Sequence, residues 1–281
     1  MSDSTNLDTN LKILNKPFLR WTGGKKWLIP HIQDLIKSFQ FNNYHEPFLG
    51  GGSIFFSLTN YKKAYLSDFN IELINCYKQV KTNPKKVFSF LKEFPQNKES
   101  YYEIRETNFN SKFKMAAKFI YLNKTSFNGI YRVNSEGKYN VPYGKKVFNI
   151  KNIKELIYSC SNQLNNAELN ACDFEEFISK VKKNDLVYLD PPYTITHNNN
   201  GFIKYNEKLF SFIDQVRLSS IISEIRDKNA YYILSNAYHP DVKKIYDKFG
   251  DKVIQLDRIS LISAKTDSRE NYKEYVFTNI I

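Results

Sequence analysis

An acid, two prolines and a tyrosine stand together at Asp190-Pro191-Pro192-Tyr193, directly after the apolar run Asp185-Leu186-Val187-Tyr188-Leu189. In open α/β sheets ligands gather at the carboxyl ends of the strands, and a Pro191-Pro192 turn at such an end holds the backbone stiffly. Asp190 and the Pro191 carbonyl can each accept a hydrogen from an exocyclic amino group, while the Tyr193 ring offers a plate for the heterocycle that bears it. That geometry suits an adenine or cytosine taken out of its stack. Stripped of chemistry, the same four residues are a strand-terminating turn with Tyr193 half buried.

A second constellation, Glu46-Pro47-Phe48-Leu49-Gly50-Gly51-Gly52-Ser53, runs from an apolar segment through a glycine turn. Glycines let the backbone approach a ligand closely, and a helix start after them offers free N–H groups. A phosphate loop would need Lys followed by Ser or Thr after its last glycine; Ser53-Ile54 stands there instead, which disfavours a nucleoside triphosphate. Asp68 ends the next apolar segment, where a carboxylate can accept hydrogen bonds from a ribose diol or simply cap the helix that follows.

Net charge narrows the partner. Lys and Arg number 41 against 29 Asp and Glu, giving +12, and residues 77–151 hold sixteen basic and five acidic side chains, or +11 of that surplus. A basic stretch of this size favours a polyanion through counterion release, nucleic acid ahead of an anionic membrane surface. His31, His45, His197 and His239 lie far apart with no carboxylate or cysteine at ligand spacing, so no metal is expected. Cys76, Cys160 and Cys172 form no Cys-x-x-Cys pair and read as buried thiols. No apolar run approaches the ~18 residues that cross a bilayer, and the polar start MSDSTNLDTNLKILN lacks the pattern of a secretory signal. The expectation is a soluble cytoplasmic protein without a membrane partner, residues 1–14 forming a flexible tail.

These side chains need a frame. Strand-like segments fall at 44–48, 64–67, 168–172, 185–189, 231–235, 253–257 and 274–278, and amphipathic helical ones at 53–60, 70–81, 207–228 and 239–249, with Asn70, Asn206 and Pro240 near their starts. Alternation of this kind predicts a mainly parallel α/β sheet with helices on both faces, and crowding of the last strands suggests an antiparallel edge. The alternation breaks after the helix that follows Asp68. Residues 84–124 read as helices and 125–150 as an irregular Gly- and Asn-bearing loop hairpin, so 77–151 is taken as an insert in a catalytic domain formed by 15–76 and 152–281. His197-Asn198-Asn199-Asn200-Gly201 reads as a mobile loop, and Ser235-Asn236-Ala237 as a turn or a lining of the base pocket.

Asp190-Pro191-Pro192-Tyr193 matches the signature of adenine-specific amino methyltransferases, and the chain from Phe18 almost to its C-terminus resembles the DNA adenine methylase (Dam) family, including relatives in restriction-modification systems. Phe18-Leu19-Arg20-Trp21-Thr22-Gly23-Gly24-Lys25 is similar to the family's N-terminal cofactor segment, Glu46 to Phe55 to its glycine turn, Ser67-Asp68 to its ribose-binding acid, and Cys172-Asp173-Phe174 to its adenine-side contact. Glycine motif, recognition insert and catalytic tetrapeptide follow in the order of the family's α arrangement. The resemblance implies a Rossmann-like S-adenosylmethionine-dependent sheet, with Trp21, Gly24, Lys25, Phe48, Gly50, Gly52, Asp68, Asp173, Phe174 and Asp190 around the cofactor. It also implies methylation of a flipped adenine in double-stranded DNA, within GATC, with no metal.

Asn123 to Lys146 resembles the family's target-recognition stretch, where Asn128, Ile130, Arg132 and Pro142 fall at DNA-reading positions. Arg reading guanine and an amide reading adenine make physical sense of Arg132 and Asn128. Arg20, Lys145 and Lys146 join them on the DNA side, although many relatives have Lys at the place of Arg20 and some an aromatic at that of Lys146. Arg258 to Arg269 resembles a C-terminal positive segment. A cognate restriction endonuclease acting on the same site is a further implied partner. An RNA or protein-glutamine methyltransferase remains the alternative, although glutamine enzymes usually open the tetrapeptide with Asn. A nicotinamide dehydrogenase would share only the glycine turn, and a non-catalytic DNA-binding protein would not need Trp21, Lys25, Asp68 and Asp190 together.

Overall fold

A computed structural model describes residues 15–193, 210–259 and 271–281. The segment 197–201, Asn206 and most of the span from Arg258 to Arg269 therefore lie outside the described residues.

Seven strands form one sheet: β1 (Tyr44–Glu46), β2 (Ala64–Asp68), β3 (Ala167–Ala171), β4 (Leu186–Leu189), β5 (Tyr231–Ala237), β6 (Lys252–Ile259) and β7 (Asn271–Thr278), in the order β3-β2-β1-β4-β5-β7-β6. The strands from β3 to β5 in that order pair in parallel, and β7 runs antiparallel to both β5 and β6. Each falls on a segment whose apolar pattern predicted it. All four residues of β4 are buried, as a central parallel strand covered on both faces requires. The chain leaves β1 towards β2 and β3, then returns to β4 on the other side of β1. Between β1 and β4 the winding reverses, and such a reversal opens a crevice outside the carboxyl ends of the strands. Both leading motifs start there, the glycine turn after β1 and Asp190 after β4.

The helices are α1 (Ile29–Ile36), α2 (Ile71–Thr82), α3 (Pro84–Leu91), α4 (Lys98–Glu106), α5 (Lys112–Thr125), α6 (Ile150–Leu164), α7 (Phe212–Asp227) and α8 (Pro240–Tyr246). Asn70 caps α2 by accepting the Leu73 N–H at 2.9 Å, and Ser211 with Asp214 forms a capping box for α7, which within the described residues starts at Phe212. The helix expected over 53–60 is only one 3-10 turn, Phe55–Ser57. Ile54 to Leu58 are all buried, so that stretch has no solvent face, and Leu58 is already extended.

Helices α2 to α6 pack on one face of the sheet around a continuous core that includes Leu66, Leu73, Val87, Leu91, Tyr101, Ile120 and Ile157. The basic insert thus shares its apolar core with the sheet. Val187, Leu189, Ile222, Tyr232 and Phe277 build the core of the opposite face. No described helix is long and apolar enough to cross a membrane.

Candidate active site at the carboxyl edge of the sheet

The glycine turn is shaped by Trp21. Gly50 has φ +47°, and a Cβ there would lie 2.7 Å from Trp21 Cδ1, so only glycine admits the indole at this distance. The Tyr77 hydroxyl donates to the Gly50 carbonyl at 3.0 Å, while the Gly50 N–H donates to Asp68 Oδ2 at 2.9 Å. The other Asp68 oxygen accepts the Asn70 N–H at 2.9 Å. Burial raises the Asp68 carboxyl, and these two N–H groups hold the rise back. Each oxygen keeps lone-pair capacity towards the crevice. Capping of α2 belongs to Asn70, so Asp68 is not needed for it.

Asp190 follows β4, with its side chain 20% exposed. Ser235 on β5 donates to Asp190 Oδ1 at 2.9 Å, and the Lys25 ammonium lies 3.3 Å from the same oxygen. Lys25 also donates to the Tyr193 hydroxyl and, at 3.0 Å, to Glu274 Oε2. The Asp190 carboxyl is pushed up to about 6: burial raises it, Lys25 pulls it back, and Glu274 adds to the rise. The Tyr193 phenol is raised well above its ordinary range by burial. Behind these groups the Glu46 carboxyl accepts from the Tyr44 hydroxyl at 2.9 Å and from the Phe55 N–H at 3.2 Å. Burial drives it to about 8, against the Tyr44 hydrogen bond and with a further push from Asp190.

On the opposite wall Phe48 and Phe174 stack with centroids 5.4 Å apart and an interplanar angle of 28°. Asp173 caps the 3-10 helix Phe174–Lys180 with a capping box, and its carboxylate accepts from Arg217 at 3.0 Å. Beside Asp68 the Phe69 ring is 79% exposed at the crevice end of β2. Gly24 closes the turn that leads from Trp21 to Lys25, its N–H donating to the Trp21 carbonyl at 3.2 Å.

The structure thus gathers Trp21, Gly24, Lys25, Gly50, Gly52, Asp68, Asp190 and Tyr193 on one edge, with Phe48, Asp173 and Phe174 along it. Sequence reasoning missed Glu274 and Phe69. Glu274 pairs in register with Ala237 at the carboxyl end of β5 only because β7 is antiparallel, and Lys25 lies 249 positions away. An acid opening the apolar segment 274–278 was the available signal. Phe69 carried one too, a large apolar ring between two polar helix-start residues.

Among the DNA-side candidates, Arg20, Asn128, Arg132, Pro142, Lys145 and Lys146 are exposed and Ile130 partly so. The Arg132 guanidinium is held by Asn140, its Nε donating to Oδ1 at 2.8 Å. The Phe127 N–H donates to the Pro142 carbonyl at 2.9 Å, and the Gly144 N–H to the Thr125 carbonyl at 2.8 Å. Asn128, Pro142 and the two lysines that follow Gly144 are thereby grouped at the end of α5. Nearby, burial and then the charges of Arg20 and Lys26 bring Lys124 down to about 8. Among the described residues no group of three His, Cys, Asp or Glu side chains is placed to hold a metal ion.

Known proteins resemble this chain in sequence. Over 98% of this chain and 99% of the relative, 39% of residues are identical to the type II methyltransferase M1.LlaDCHI of Lactococcus lactis subsp. cremoris. Identity is 35% to the type II methyltransferase M.MjaIII of Methanocaldococcus jannaschii, covering 91% of this chain and 96% of that one. It is 29% to the DNA adenine methylase of Haemophilus influenzae, with 94% of each covered. Residues 21–260 match the profile of the D12 class N6 adenine-specific DNA methyltransferases, and the chain belongs to that family.

Proposed function

We propose that this enzyme takes its methyl group from S-adenosylmethionine and places it on the exocyclic amino group of an adenine flipped out of double-stranded DNA, within GATC. One observation carries the reading: the Asp190 carboxylate stands at the reversal of the sheet, fixed by Ser235 and Lys25, on the edge that also holds Asp68.

The residues fit such a cofactor. Trp21 packs tightly on the Gly50 turn, Asp68 beside it at the end of β2 is the candidate diol acceptor, and Phe48, Phe174 and Phe69 offer aromatic surface. Asp190 and Glu274 both face the buried Lys25 ammonium and Asp68 adds a third carboxylate on the same edge, so the field favours a cationic ligand over a phosphate. When bound, S-adenosylmethionine supplies an electrophilic methyl group on a sulfonium. Trp21, Lys25, Asp68, Asp173 and Phe174 would hold it.

The remaining work belongs to the chain. An adenine amino group is a poor nucleophile because its lone pair is delocalised into the ring. Asp190 and the Pro191 carbonyl accept its two hydrogens and concentrate density on nitrogen, while Tyr193 holds the ring plane. Lys25 keeps Asp190 ionised despite its burial, and Ser235 fixes the carboxylate's orientation. Extrusion of the base costs a few kcal/mol, offset by stacking and by phosphate contacts of the basic insert. Catalysis on this reading is positioning and electrostatics. The type II relatives suggest DNA marking alongside a restriction endonuclease that acts on the same site.

Unmodified plasmid incubated with the purified protein and S-adenosylmethionine, then sequenced for modified adenines, tests both parts. Methylation confined to GATC is expected. Modified adenines at another sequence remove the site assignment, and the absence of modified adenines removes the reaction.

A further inference from the structure

The segment that carries the DNA-side residues is fastened at two points beside the Trp21 and Asp68 side of the cofactor crevice. Asn123, at the end of α5 and buried, uses its whole amide. Its Oδ1 accepts the Arg20 N–H at 2.8 Å, and its Nδ2 donates to the Arg20 carbonyl at 2.7 Å and to the Gly129 carbonyl at 3.2 Å. Arg20 precedes Trp21; Gly129 lies between Asn128 and Ile130. The two backbones touch, for a Cβ on Gly129, at φ +68°, would fall 2.9 Å from the Asn123 carbonyl oxygen and 3.0 Å from Arg20 Cβ. Two residues further on, the Tyr131 ring stacks on Trp21 with centroids 5.7 Å apart and planes 21° from parallel. The opposite end of the same side chain, its hydroxyl, donates to Glu72 Oε2 at 2.9 Å. Glu72 stands in the first turn of α2, the helix that begins at Ile71 after Asp68, Phe69 and Asn70.

Tyr131 therefore spans from Trp21 to the first turn of α2, which follows Asp68, while its neighbours Ile130 and Arg132 are candidate DNA-side residues. A cavity of about 350 Å³, bordered by Phe119, Asn123, Ile130 and Tyr131, runs alongside and gives the segment room to shift. Packed side chains with two available arrangements transmit displacement in steps, because dense interiors do not deform continuously.

We infer that Tyr131 is a positioning residue that couples the two ligands, with Asn123 as its anchor, so that a cofactor settling against Trp21 and Asp68 fixes the segment that reads DNA. The inference rests on the proposed cofactor and DNA sites. Coupling of this kind is reciprocal, so the duplex must tighten cofactor binding by the factor with which the cofactor tightens duplex binding.

Asn123→Ala would bury unpaired peptide groups and endanger the fold, so the half-buried Tyr131 is the position to vary. Calorimetry gives the affinity for S-adenosylhomocysteine alone and in the presence of saturating duplex containing one GATC. For the wild-type chain the duplex should tighten binding about tenfold, within the roughly 5–150-fold usual for coupled sites. Tyr131→Ala should bind S-adenosylhomocysteine alone within about threefold of wild type while the coupling factor falls towards one, and Tyr131→Phe, which keeps the stack, should retain part of it. Equal coupling in wild type and Tyr131→Ala overturns the inference, as does a wild-type chain that methylates DNA yet shows no coupling. A chain that binds no S-adenosylhomocysteine overturns the parent reading and this inference with it.

Discussion

Glu46→Gln should raise stability at neutral pH and flatten its dependence on pH. The native carboxyl sits at about 8, against an ordinary value of 4.5, because burial disfavours its anion. An unfolded chain at pH 7 carries Glu46 ionised, so folding must take up a proton. The sign follows: the group's contribution is fully present below 4.5 and is lost as pH rises through the window up to 8. Each pH unit inside that window costs about 1.4 kcal/mol, so roughly 3 kcal/mol disappears between about pH 5 and pH 7.5. Glutamine keeps the size and an acceptor for the Tyr44 hydroxyl and the Phe55 N–H, and has no proton to gain. Urea unfolding of wild type and variant at several pH values isolates this group, since carboxyls that do not interact with Glu46 cancel in the difference. The difference should favour the variant increasingly as pH rises. A difference constant with pH would mean that Glu46 ionises in the folded chain as it does in the unfolded one, and the reading of Glu46 as a buried acid raised to about 8 would fail.

Asp68→Ala should weaken S-adenosylhomocysteine binding by about 1.5–3 kcal/mol, the worth of a hydrogen bond to a charged group, with DNA affinity barely changed; calorimetry showing equal cofactor affinity would remove the diol role. Tyr193→Ala should cripple turnover and Tyr193→Phe should be much milder, because Lys25 retains Asp190 and Glu274 when the hydroxyl is gone. Equal losses in initial rate would show that the hydroxyl matters beyond its contact with Lys25. Arg132→Ala should cost about 1–3 kcal/mol on the preferred site and little elsewhere, whereas neutralising Lys145 or Lys146 should weaken all duplexes alike and lower the salt slope by about one. Parallel loss on target and scrambled duplexes for Arg132→Ala would make it a phosphate clamp.

The sheet was legible because each strand carries its own short apolar pattern, and the site's leading acid because Asp190 directly follows one of them. The segment 53–60 misled for a local reason: its phenylalanines are buried on all sides, and apolar residues in succession do not distinguish a helix from a packed turn. Lys25 was legible as a cation through family resemblance, but its partners lie just after β4 and on β7, and pairing them requires the fold. Glu274 was hidden by direction. Searching the carboxyl ends of strands finds Asp68 and Asp190, while an antiparallel strand brings its amino end to the same edge. The Asn123 and Tyr131 contacts join segments from opposite sides of the insert boundary, which no periodicity records.

Single-turnover transfer of labelled methyl from S-adenosylmethionine to a duplex bearing one GATC, compared between wild type and Asp190→Asn across pH, tests the central claim most directly. Asparagine preserves the shape of the side chain and removes its charge. The wild-type rate should fall as pH drops through about 6, where the raised Asp190 carboxyl protonates. The variant should lose about 10²–10⁴-fold in rate at pH 7.5 and lose that inflection, with S-adenosylhomocysteine and duplex still bound. A variant that transfers methyl at close to the wild-type rate, with the same pH profile, would contradict the assignment of Asp190 as the acceptor of the amino hydrogens.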